Sequence, residues 1–262
     1  MHKPGKKQRH VMTTHYVLSW ACLLSVTAVL STVGFDIAVA QSHSLNSPTP
    51  IKVIQYVSDN ILLWRATCAL HALSTIMFVF FCVAFVQTLE RRYRPLTTFA
   101  LLLVAIAASS SLTAEFNLLV LASDLARDQL NGLNYMPADA FQSAWLIIAG
   151  AITHYILIGN TLNGIAGIIL TGCSLVHRNF PKPLAWLGLP VWALTIGASL
   201  VGSTGRLEMA LLLMGAASLA FVVWSASIGI AMPFVAKQRF ATAVDKPSET
   251  EPITDTLSHP LQ

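Results

Sequence analysis

Six long apolar runs, separated by shorter polar stretches, dominate the chain: about 16–35, 61–87, 97–121, 144–175, 183–201 and 207–234. A run of about 20 apolar residues spans the roughly 30 Å hydrocarbon layer of a bilayer as a helix. The alternating pattern of a transmembrane barrel is absent, and in hydrocarbon a continuous apolar run satisfies its own backbone only as a helix. The pattern predicts an all-α fold, a polytopic six-helix transmembrane bundle over residues 15–236. A basic tail (1–14) precedes it and a polar, disordered tail (237–262) follows it.

Composition strengthens this reading. Hydrophobic residues make up 55% of the chain and charged residues 11%, against about 25% charged in a soluble domain. The distribution of the cations then orients the bundle, because short cytoplasmic loops collect Lys and Arg. The N-terminal tail, "LERRYRPLTT", "VHRNFPKPLAW" and the C-terminal tail hold twelve of the sixteen, leaving Lys52, Arg65, Arg127 and Arg206 for the other side. Both termini are therefore expected in the cytoplasm, with the protein in a bacterial inner membrane. The net charge of +4 needs no nucleic-acid partner. One competing feature is "AVA" at 38–40, which resembles a signal cleavage site and would leave five helices. The first apolar run exceeds the usual signal length of about 7–15 residues, which favours an uncleaved helix.

The connections are short. Outer loops over 41–60 and 122–141 are too small to be domains, and "MPADAFQSAW" reads as a helix start, with Pro137 and Asp139 in its first turn. Cys22, Cys68, Cys82 and Cys173 all fall inside predicted spans without a CxxC pair, which makes them packing residues. Pro190 is expected to kink the fifth helix, and Trp residues near span ends fit interfacial anchors.

Ionisable groups inside a span are costly and mark candidate function. Glu115 is the one carboxylate well inside a predicted span, roughly 9 Å from the outer end of the third helix. His71 lies roughly 15 Å from the outer end of the second helix, on a stripe with Cys68, Ser74 and Thr75. His154 sits at a similar depth in the fourth, one position from a stripe that includes Asn160 and Asn163. That matched depth, each histidine leading to a basic, Pro-containing turn, also hints at a parallel internal repeat. Arg65, near the outer boundary, is expected to snorkel to water, or else to pair with Asp36 or Glu115. Together Glu115, His71, His154, Arg65, Asn160 and Asn163 form the candidate ligand or proton site.

The segments "SDNILLWRATCALHALSTIMFVFFCVAFVQTLE" and "ITHYILIGNTLNGIAGIILTGCSLVHRNFPKPLAWLGLPVWAL" resemble the bacterial membrane family called domain of unknown function 4386. The resemblance covers roughly residues 14–232. It implies a long fourth helix ending in a basic turn with Pro, then a Gly-containing fifth helix, with the acid at Glu115 as a family feature. It implies no activity, because that family has none established.

The functional expectation is a non-catalytic membrane protein whose outer-half polar cluster binds a small ligand or a proton. A small transporter is one alternative, although no pair of spans shows matching Gly/Pro interruptions. A b-type haem held between His71 and His154 is another; otherwise no cofactor or metal is expected. Soluble-enzyme fingerprints such as GxSxG, HExxH and the P-loop are absent. Beyond the lipid bilayer, a homo-oligomer or a partner membrane protein stays open.

Overall fold

The computed structural model describes residues 6–42, 56–89, 91–124, 127, 138–178 and 180–244. Six long helices account for nearly all of them: α1 (Lys6–Ser42), α2 (Ile61–Gln87), α3 (Arg94–Asn117), α4 (Ala138–Val176), α5 (Lys182–Ser203) and α6 (Leu207–Val244). A single 3₁₀ turn, Arg91–Tyr93, leads into α3, and a π-helical turn, Leu118–Ala122, follows it. Each of the six carries a stretch long and apolar enough to cross a membrane: Thr13–Gly34, Ile61–Gln87, Arg91–Leu121, Thr153–Val176, Lys182–Ser203 and Leu212–Phe234.

Helix ends depart from the apolar boundaries. The segment expected as a basic tail is helical from Lys6, and α6 continues to Val244, through the first part of the segment expected to be disordered. Apolarity marks where hydrocarbon would end, whereas a helix continues while its residues favour it, and Lys, Gln, Arg and Ala all do. α4 opens at Ala138, within the segment expected to start it, while Pro137 lies outside the described residues. α5 runs unbroken through Pro190.

The helices form a closed antiparallel ring in which each packs chiefly on its chain neighbours and α6 returns against α1. Residue pairs along each seam fix the direction. Ser25 donates to the Met77 carbonyl and Thr32 to that of Leu70 between α1 and α2. Ser19 donates to Gly229 O and Ser225 to Cys22 O between α1 and α6. α1 therefore runs opposite to both of its neighbours. The start of α1, the α2–α3 and α4–α5 turns and the end of α6 consequently share one end, called here the basic end. At the α4–α5 turn the Lys182 ammonium donates to the carbonyls of Leu175 and His177, satisfying the negative end of α4.

Small residues bring the backbones together. A Cβ at Gly167 would lie 2.1 Å from the Trp192 ring, and one at Gly229 would lie 3.0 Å from the Cys22 Cβ. Such close seams replace the hydrophobic drive that lipid cannot supply between helices. In the half of the ring nearer the basic end, large rings from three helices fill the middle. Phe78, Phe81 and Phe85 of α2 meet Trp192 of α5 and Phe221 and Trp224 of α6, with Phe81–Trp224 centroids 5.5 Å apart and Trp192–Trp224 5.4 Å. Trp20, Leu62, Ile147 and Leu212 face outward and are exposed, as a lipid-facing belt requires.

Candidate functional site

The α2–α3 seam carries the ionisable residues. In a helix, positions three or four apart share a face. On α2 this places His71 directly beyond Ser74 and Thr75, counting away from the basic end; on α3 it places Glu115 directly beyond Ser111. The antiparallel pairing of the two helices then brings the side chains together, with His71 Nδ1 3.5 Å from Glu115 Oε1. That separation is long for a hydrogen bond and short enough for an ion pair when the ring is protonated. Glu115 is the more buried partner, 13% exposed against 35% for His71. A carboxylate so placed needs a positive or hydrogen-bonding neighbour, and His71 is one that can gain or lose a proton in place.

Further from the basic end, one turn beyond Glu115 on α3 and two beyond His71 on α2, the Trp64 indole N–H donates to the Leu118 carbonyl at 3.1 Å. Leu118 opens the π-helical turn, whose wider winding leaves carbonyls free for outside donors and recurs near functional sites. The seam is thus tied beyond the pair as well as at it.

On the other side of the pair, toward the centre of the ring, lies a cavity of about 200 Å³. All six helices line it: Ser25 from α1, Ser74, Thr75 and Phe78 from α2, Ser111 from α3, Asn160 and Asn163 from α4, Trp192 and Thr195 from α5, and Ser218 and Phe221 from α6. Among the described residues none of its lining side chains is charged. Ser25 and Thr195 spend their hydroxyls on the carbonyls of Met77 and Val191. The Oδ1 of Asn163 is buried and has no hydrogen-bond partner among the described residues. Phe78, Trp192 and Phe221 belong to the aromatic layer, so that layer forms the cavity's wall toward the basic end.

The six residues singled out from the sequence therefore divide. His71 and Glu115 meet, and Asn160 and Asn163 face the central cavity one turn away. Arg65 is exposed and makes no ion pair with Glu115; Asp36, its other suggested mate, has its side chain outside the described residues. His154 is not brought in. It is exposed, and the step of nine positions from it to Asn163 amounts to about two and a half helical turns, which puts it on the opposite side of α4 from Asn163. Equal depth along two helices thus did not translate into a shared site. The two histidines that suggested a haem sandwich lie on different faces, and the ring nitrogen of His71 already meets Glu115. Among the described residues no three His, Cys, Asp or Glu side chains cluster as a metal site.

Nothing in the sequence singled out Ser25, Thr195, Ser218 or the aromatic layer. In helices apolar on every side, the inward face leaves no periodic signal in hydrophobicity. A lone Ser or Thr in such a run was the available sign. Comparison with known families, characterised proteins and solved structures finds no match to this chain.

Proposed function

We propose that this is a multi-pass protein of the bacterial cytoplasmic membrane, with both termini in the cytoplasm, that binds a small molecule or a proton at the centre of its helix ring and catalyses no reaction. The twelve Lys and Arg of the two tails and of the α2–α3 and α4–α5 connections support that orientation. The observation that carries the binding role is the stacking of an ionisable pair, His71–Glu115, one helical turn from a charge-free cavity of mixed polar and apolar lining to which every helix contributes. A packing defect would be apolar and dry. On this proposal the chain belongs with the bacterial membrane family called domain of unknown function 4386, which brings no activity with it.

A small carrier is the second reading, and one observation favours it. The aromatic layer closes the cavity toward the basic end, while polar groups continue from Ser74 and Ser111 to His71 and Glu115 toward the other end. A site plugged on one side and continued by polar groups on the other is the asymmetry that an alternating-access cycle uses.

Substituted-cysteine labelling tests the shared premise. The native cysteines at 22, 68, 82 and 173 are buried, so a Ser74→Cys variant in liposomes should react with a membrane-impermeant thiosulfonate far faster than the parent. Silence at position 74 from both sides of the membrane, in folded protein, would remove the water-accessible cavity and the proposal with it.

A further inference from the structure

We infer that the ligand of the central cavity is a neutral cyclic polyol of monosaccharide size. The inference rests on the binding role proposed above and names the class of ligand. Three features of the cavity converge on it.

The first is size. A cavity of about 200 Å³ exceeds the roughly 150 Å³ that accommodates benzene, so it takes one six-membered ring with its substituents and little more. The second is charge. With no ionic side chain among the described lining residues, an anion or cation in the cavity itself would be desolvated without a partner.

The third is the number of unspent hydrogen-bonding groups. Hydroxyls elsewhere in these helices bond back to a carbonyl one turn earlier, as Thr67, Thr113 and Thr161 do. The side chains of Ser74, Thr75, Ser111, Asn160, Asn163 and Ser218 make no hydrogen bond within the described residues, and the Asn163 Oδ1 is buried as well. Leaving a buried acceptor such as the Asn163 Oδ1 unmade is unfavourable, and a ligand with one hydroxyl would meet only one or two of these six side chains. A ring bearing several hydroxyls, each both donor and acceptor, matches the set. Asn163 Oδ1 accepts from one hydroxyl, and the serine and threonine hydroxyls serve the others. The wall formed by Phe78, Trp192 and Phe221 offers flat apolar surface for the C–H face of the same ring.

The test uses the full chain in liposomes with tritiated D-glucose and myo-inositol, read both by equilibrium binding and by protection of Ser74→Cys from the thiosulfonate. Saturable binding of either polyol, with protection at the same concentrations, supports the assignment. Asn163→Leu should then weaken binding roughly tenfold, the effect of one lost neutral hydrogen bond at its upper range, and Ser218→Ala by a smaller factor. Thermal melting of both variants checks that they fold. A position 74 that reacts but is protected by neither polyol overturns the polyol assignment and leaves the cavity standing, with water as its content. An unreactive position 74 removes both. Equal protection by glucose 6-phosphate overturns the restriction to neutral ligands, and unchanged binding in both variants overturns the placement.

Discussion

Replacing Gly167 by alanine adds one methyl group and should destabilise the bundle far more than its size suggests. The new Cβ would lie 2.1 Å from Cδ2 of Trp192, 2.3 Å from Cε2 and 2.5 Å from Cε3. The ring must retreat by about 1.3 Å, the difference between 2.1 Å and the 3.4 Å at which ordinary contact begins. It has little freedom to do so. Its N–H donates to Thr171 Oγ1 at 2.9 Å, and its faces and edges meet Phe78, Phe221 and Trp224. Overpacking of this kind costs about 1–3 kcal/mol, and loss of the indole hydrogen bond adds about 1 kcal/mol. A total of about 2–4 kcal/mol corresponds to a fall in Tm of roughly 4–16 °C for a chain of this size. All four cysteines are buried in the native state, so a thiol-reactive fluorophore reports unfolding directly. Trp192→Leu supplies the control. It removes the obstructing ring, so Gly167→Ala made on that background should cost little more, a coupling of about 2 kcal/mol. An unshifted melting curve for Gly167→Ala, or simple additivity in the double variant, would refute the close-approach argument.

Two further outcomes are expected. His71→Ala and Glu115→Ala should be coupled in a double-variant cycle by about 0.5–1 kcal/mol, a modest figure because His71 is 35% exposed and partly screened; no coupling in thermal melts would show that the pair does not form. His154→Ala should leave the melting curve within about 0.5 kcal/mol of the parent, since that ring is exposed, and a fall of several degrees would place His154 in a packed interior.

How much of this was legible depended on which physical signal each residue left. The six spans followed from apolar run length, and residues 61–87 match the helix that forms there to the residue. The ends of α1 and α6 did not follow, because KKQRH and AKQRF are polar yet good helix formers, and hydropathy is blind to a helix outside hydrocarbon. Glu115 and His71 stood out because an ionisable group amid apolar residues needs a reason. Their meeting was readable from depth and helix direction together. His154 misled because depth fixes position along a helix but not around it, and one position off a stripe is about 100° of rotation. Trp192 and Trp224 were hidden for a different reason. An aromatic residue in a wholly apolar run looks the same whether it faces lipid or a neighbouring ring, and only the tertiary structure turns Trp224 inward, where its N–H reaches the Leu184 carbonyl.

The closure of the ring by α1 and α6 bears on how the molecule is made. α1 leaves the ribosome well before α6, yet Ser19 and Ser225 bond across the seam between them, and Cys22 packs against Gly229 there. Until α6 is synthesised, one flank of α1, with its serine hydroxyls, has no partner within the chain. Helices α1 to α5 can pair in order as they emerge, each on the one before, but the circle cannot shut until α6 has been made. A nascent chain stalled before residue 229 therefore presents an open flank of small and hydroxylated residues to lipid.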